Sequence, residues 1–138
     1  MADKYVLLVE DSEDDIKLAE RAFQKCRANA RLIVTRNGCE ALDFLFCRHG
    51  CARRNPQDRP ALVLLDLKLP LIGGLEILET VRSEKSTAAL PVVILTSSME
   101  EKDRTECLKL KADRFFSKPV EFDDFLSIVR ELKEEWLQ

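Results

Sequence analysis

The sequence predicts a doubly wound α/β domain, a five-stranded parallel sheet covered on both faces by helices. Three observations carry the prediction. Short apolar runs alternate with segments of helical period from one end of the 138 residues to the other. The central run, Ala-Leu-Val-Leu-Leu over 61–65, lacks the alternation of a half-solvated strand and so belongs between two helical layers. The strand-like runs also end in polar residues, as in open sheets whose ligand crevice lies outside the carboxyl ends of the strands.

The first run, Tyr5–Val9, ends in Glu10 and Asp11. Ser12 follows as an N-cap, with Glu13, Asp14 and Asp15 in the turn where the helix dipole favours negative charge. Ile16, Ala19, Phe23 and Cys26 then recur at helical steps, through about residue 27. Arg31–Thr35 is a less apolar second strand, which places it nearer a sheet edge, and Gly38 begins a helix with Ala41, Leu42, Leu45 and Phe46 facing inward. A polar stretch over 47–59 holds four arginines and the only histidine, His49, and exceeds the roughly 4 to 6 residues of an ordinary connection.

The 61–65 strand ends at Asp66, and the chain passes Pro70 and Gly73-Gly74 before Leu75, Ile77, Leu78 and Val81 mark a third helix. Residues 83–90 read as a loop, and 92–95 as a buried strand closed by Thr96, Ser97 and Ser98. Residues 99–111 form a helix with few apolar residues beyond Met99, Cys107, Leu108 and Leu110, expected to be the most mobile one. Arg114–Ser117 is a short last strand leading into Lys118-Pro119, and 121–136 is the final helix. Right-handed crossovers bring the polar strand ends to one edge in either of the two sheet orders open to such a chain.

The length fits one domain with an adequate core and no output domain. Net charge is −3, from 22 basic and 25 acidic residues, so nothing draws the chain toward nucleic acid or anionic membrane. The acidic start, MADKYVLLVED, is unlike a secretory signal, and five cysteines, an odd number, fit reduced thiols in the cytoplasm. Cys47, His49 and Cys51 within one arginine-rich loop do not make a closed four-ligand zinc site and read as solvated loop.

Glu10, Asp11, Asp66, Thr96 and Lys118 each stand just after a strand, so the fold gathers them. Two carboxylates at 4 Å repel by about 4 kcal/mol at an effective dielectric of 20, which calls for a divalent cation. Oxygen ligands with few protein donors favour Mg²⁺ over zinc. An acid beside a cation, a hydroxyl and an ammonium suits phosphoryl transfer to the carboxylate. Neither GxxxxGK[ST] nor GxGxxG occurs, so nucleotide binding has no support.

Glu10-Asp11, Asp66 with Pro70 and Gly74, Thr96-Ser97 and Lys118-Pro119 together resemble the receiver domain of two-component response regulators, over residues 4–136. The resemblance implies a flavodoxin-like strand order 2-1-3-4-5. It implies that Asp66 accepts a phosphoryl group from a sensor histidine kinase. Asp11, Asp66 and the Lys68 backbone carbonyl would bind Mg²⁺, with Glu10 acting through metal-bound water. Lys118 would pair with the phosphoryl group, Thr96 would turn its hydroxyl onto it, and Phe115 would follow Thr96 inward. A cis bond at Lys118-Pro119 is implied as well.

The long loop after the second helix, Lys111-Ala112-Asp113 and the Glu135-Trp136-Leu137 ending resemble stand-alone receivers that partner phytochrome-type kinases. Such a protein acts on no separate substrate and catalyses only its own phosphorylation and dephosphorylation. Three other readings compete. An FMN-binding flavodoxin lacks support because no hydroxyl-rich phosphate loop follows the first strand. A phosphorylation-independent pseudo-receiver is opposed by the intact set Asp11, Asp66, Thr96 and Lys118. A small aspartyl phosphohydrolase usually has a second acid two residues after its nucleophile, where this chain has Lys68. In the last helix Phe122, Phe125, Leu126, Ile128, Val129, Leu132, Trp136 and Leu137 span about half the circumference, wider than a core stripe of roughly 100° needs, and predict a homodimer through that helix.

Overall fold

Composition sorts the strands into interior and edge. The computed structural model describes residues 4–28, 30–49, 55, 58–98 and 100–138. In it β1 (Tyr5–Val9), β3 (Leu62–Leu65) and β4 (Val92–Thr96) are buried at every residue, while β2 (Arg31–Thr35) and β5 (Arg114–Ser117) are only partly covered. The five strands are parallel in the order β2-β1-β3-β4-β5, with the two most polar ones at the edges. This is the flavodoxin-like order expected above.

Alternate strand residues serve opposite cores, as the two-residue period requires. Val6, Leu8, Leu64 and Val93 pack against α1 (Glu13–Lys25) and α5 (Phe122–Trp136). Leu7, Val9, Leu65 and Ile94 pack on the other face, against α2 (Gly38–Leu45), α3 (Gly74–Ser83) and α4 (Glu101–Lys109). Truncating one of these buried leucines to alanine typically costs about 2 to 5 kcal/mol. Most of the wide apolar stripe of α5 goes into its own core: Phe125, Leu126, Ile128, Val129, Leu132 and Leu137 are buried, and Phe122 and Trp136 pack at the margin.

Helix ends differ from expectation by small amounts. The first helix stops at Lys25, and Arg27 takes a left-handed backbone with φ 51°. The fourth runs over Glu101–Lys109 rather than to 111, because Lys111 at φ 59° turns the chain out. Met99 lies outside the described residues, as do Gly50, Cys51, Arg53 and Arg54 of the arginine-rich loop. Cys107 is the one buried residue of α4, consistent with its sparse apolar pattern.

The C-terminal end of α4 is tied to α3 by Arg82. Its guanidinium donates to the carbonyls of Ala88 (3.1 Å), Leu90 (2.7 Å), Leu110 (3.2 Å) and Lys111 (3.0 Å) and to the Asp113 carboxylate (3.2 Å). Asp113 in turn accepts the Val92 N–H at 2.8 Å, so these bonds also align the starts of β4 and β5. Among the described residues no helix is long and apolar enough to cross a membrane.

Candidate functional site

Strand register brings the polar residues together. Val9 lies beside both Thr35 and Leu65. One residue further on, Glu10 donates its N–H to Thr35 O (3.0 Å) and Asp66 donates its own to Val9 O (3.3 Å). On the other side Lys118 N–H reaches Thr96 O at 2.8 Å. Glu10, Asp66 and Lys118 thus each follow a strand end, and Thr96 is the last residue of β4, all on one edge. Gly74 closes this edge from below: its N–H bonds Leu67 O at 3.0 Å, and a Cβ there would stand 2.3 Å from Asp66 O. Only glycine permits that approach of α3 to the strand end.

Glu10, Asp11 and Asp66 each present a carboxylate oxygen, and the three lie within 4.8 Å of one another. Glu10 and Asp66 are almost fully buried, at 3% and 5% exposure, whereas Asp11 is exposed. The Lys118 ammonium neutralises part of this charge, 2.7 Å from Glu10 Oε1, 2.8 Å from Asp15 Oδ2 and 3.0 Å from Asp66 Oδ2. Ser12 N–H bonds the other Glu10 oxygen at 3.1 Å, and Lys68 N–H bonds Asp66 Oδ1 at 3.2 Å. The Lys68 side chain is exposed.

Burial pushes the Glu10 carboxyl above the ordinary carboxylate range, against the pull of Lys118 and the Ser12 N–H. Burial also opposes the charged form of Lys118. Its hydrogen bonds to Asp15, Glu10 and Asp66 outweigh that and hold the ammonium protonated.

Thr96 is fully buried, and its Oγ1 accepts the Ser98 N–H at 3.1 Å. Ser98 passes the connection on, its hydroxyl donating to Asp103 Oδ2 in α4 at 2.5 Å. Phe115 is half-buried on β5 with the Arg104 guanidinium 5.8 Å from its ring centre. Thr96 is therefore linked to α4 through Ser98, and Phe115 directly through Arg104.

One expectation is corrected. No described peptide bond is cis, so Lys118-Pro119 is trans. The trans form is favoured by about 0.5 to 1 kcal/mol before any tertiary contact. In this geometry Lys118 already makes its backbone bond to Thr96 and all three of its ion pairs, so nothing here demands the other isomer. Asp15 was not anticipated as a member of the group. Its sequence position explained it fully as a first-turn acid, and only the N-cap at Ser12, which sets the phase of α1, hinted at the direction of its side chain.

Among its described residues the arginine-rich loop supplies no second candidate. His49 Nδ1 lies 2.8 Å from Asp43 Oδ1 on an exposed surface, and Cys51 is not among the described residues. Within the described residues, Glu10, Asp11 and Asp66 are the group of acids, histidines or cysteines placed to hold a metal ion. Three oxygen donors open to solvent on the Asp11 side match the preference of a hard divalent cation.

Comparison with known proteins agrees with this fold. The response regulator receiver domain model matches residues 6–130. The response regulator Rcp1 of Synechocystis sp. is 33% identical over 135 residues, covering 98% of this chain and 90% of the relative. The crystal structure of the Mn²⁺-bound form of response regulator Rcp1 superposes with a TM-score of 0.88 at 31% identity, covering 98% of this chain and 95% of that one. The crystal structure of the phosphorylated cyanobacterial phytochrome response regulator RcpA gives 0.90 at 31% identity, over 99% and 96%. Strand order, the acid group at the sheet edge and likeness over nearly the full length lead to one statement: this chain belongs to the response regulator receiver domain family.

Proposed function

We propose that the chain is a stand-alone cytoplasmic response regulator that receives a phosphoryl group on Asp66 from a sensor histidine kinase. The observation that carries this reading is the convergence on Asp66 of the Lys118 ammonium at 3.0 Å and the Glu10 and Asp11 carboxylates. An Asp66 oxygen attacks the phosphorus, the phosphorus–nitrogen bond to the donor histidine breaks, and the imidazole keeps the electron pair and takes up a proton. Asp11, Asp66 and the Lys68 carbonyl would hold Mg²⁺, with Glu10 acting through metal-bound water, and the bound ion would supply positive charge for the transferring oxygens. Lys118 supplies the second positive charge. It already stands at hydrogen-bonding distance from Asp66.

Phosphorylation draws the Thr96 hydroxyl away from Ser98 N–H and brings Phe115 inward, biasing an existing equilibrium toward a changed face of α4, β5 and α5. That face then binds or releases a protein partner. Phytochrome response regulators among the solved structures support a phytochrome-type kinase as donor. Phe122 and Trp136, at the margin of the α5 core, support a homodimer through α5.

Intact mass after incubation with acetyl phosphate, with and without Mg²⁺, tests the reading beside Asp66→Asn. The expected result is addition of one phosphoryl group that requires both the cation and Asp66. No addition under any condition refutes it. For the dimer, a monomeric mass at high concentration in both phosphorylation states excludes the α5 contact.

A further inference from the structure

Lys118 has three N–H donors and three carboxylate partners, and one of the three stands apart from the others. Glu10 and Asp66 belong to the acid group that can hold a cation; Asp15 does not. Asp15 comes from a different element, the first turn of α1, where its backbone N–H is held by the Ser12 hydroxyl at 3.4 Å. Its side chain leaves the helix to meet the ammonium at 2.8 Å and is only 26% exposed.

The arrangement has a consequence when a divalent cation enters. Asp66 would then turn a lone pair to the cation and Glu10 one to a water on it, so the ammonium would face a like charge and be held less strongly by both. Asp15, outside the cation group, is the partner it keeps. We propose that Asp15 is a positioning residue for Lys118, holding the ammonium at the mouth of the site while Glu10 and Asp66 exchange it for a divalent cation. The inference rests on the function proposed above, since it concerns a cation at that same site.

The two charges on Asp15 and Lys118 then act as one unit in cation binding. In Asp15→Asn the ammonium has only Glu10 and Asp66 for strong partners, so the cation must strip it of both. Cation affinity falls on the order of fivefold, the size of effect a partly shielded ion pair produces. The effect runs through the lysine. In a Lys118→Met background, Asp15→Asn should change affinity by less than about twofold, because coupled sites lose their interaction when one partner is removed.

The test is Mn²⁺ affinity, read from the electron paramagnetic resonance of the free ion, on the full chain in four forms: wild type, Asp15→Asn, Lys118→Met and the double variant. Asp14→Asn is the control, an exposed acid on the same helical turn. Weakening in Asp15→Asn that vanishes in the Lys118→Met background and is absent from Asp14→Asn supports the proposal. Equal weakening in both backgrounds overturns it, because Asp15 would then act on the cation directly. Unchanged affinity in Asp15→Asn overturns it too. Asp15→Glu keeps the helix-dipole charge and serves if the asparagine variant folds poorly; it should retain affinity within about twofold through the same lysine. Absence of Mn²⁺ binding in the wild type would overturn the cation reading of the site and the role of Asp15 with it. Normal wild-type binding with no Asp15 effect would remove the positioning role alone.

Discussion

Replacing Asp11 with asparagine should stabilise the metal-free protein. Glu10, Asp11 and Asp66 place oxygens within 4.8 Å of one another, and the three ion pairs of Lys118 go to Glu10, Asp15 and Asp66. Asp11 is thus the member of the trio without a cationic partner among the described residues. At 4.8 Å and an effective dielectric of 20, each repulsion is roughly 3.5 kcal/mol. Water around the exposed Asp11 and the ammonium on the other two acids screen most of this, leaving a net gain of about 1 to 2 kcal/mol on neutralisation. For a domain of this size that raises the melting temperature by about 3 to 8 °C. The assay is thermal unfolding by circular dichroism, in EDTA and then in Mg²⁺. Wild type should gain stability from Mg²⁺, by roughly 1.4 kcal/mol at ten times the dissociation constant, while Asp11→Asn gains little. An asparagine variant less stable than wild type in EDTA, or one that Mg²⁺ stabilises as strongly, would refute both the repulsion and the assignment of Asp11 to the cation.

Gly74→Ala should destabilise the fold by about 3 kcal/mol or more, since its Cβ would meet Asp66 O at 2.3 Å and Leu67 Cα at 2.6 Å, both backbone atoms that cannot yield; urea unfolding within about 1 kcal/mol of wild type would contradict the packing. Glu10 carries a pH signature. Its raised folded value means that the fold binds the proton more tightly than the unfolded chain, so this contribution to stability is complete below the unfolded value near about 4.3 and is lost as pH rises through the folded value. In EDTA, Glu10→Gln should therefore match wild type near pH 4 and exceed it at pH 7; the opposite ordering would show that the Lys118 pair outweighs burial. Cys107, buried and pushed up to about 11 by that burial and by Asp103 and Glu106, should resist alkylation at pH 8 while the exposed Cys39 reacts; equal labelling of the native protein would count against that environment.

Much of the architecture is legible because burial leaves a direct mark on composition. β1, β3 and β4 are continuous apolar runs, and the polar Arg31 and Arg114 begin the two strands that prove to be edges. The order of those strands is another matter. Alternation of strands and helices admits more than one order, and the family motifs supplied the one observed. At the site, Glu10, Asp11, Asp66, Thr96 and Lys118 announce themselves by following strands. Asp15 does not, because its local setting already accounts for it and its partner lies 103 positions away in the sequence, reached only through tertiary packing such as that of α1 on α5. The apolar width of α5 does not by itself say which surface it covers. Periodicity measures how much of a helix avoids water, and Leu126, Ile128 and Leu137 show much of that width turned to the chain's own core.

The five bonds from Arg82 give α4 a fixed end and a free one. At its C-terminus the carbonyls of Leu110 and Lys111 are held by a guanidinium that also grips two carbonyls before β4. At its N-terminal half the ties among the described residues are the hydroxyl of Ser98 to Asp103 and the Arg104 guanidinium over the Phe115 ring, and Ser98 also bonds Thr96. Between them only Cys107 is buried, so little side-chain packing resists movement. The helix is mounted as a lever, with its fulcrum at Arg82 and its long arm beside Thr96. Under the proposed switch, a change in where the buried Thr96 hydroxyl points would move the N-terminal end of that lever, the end Arg82 does not hold.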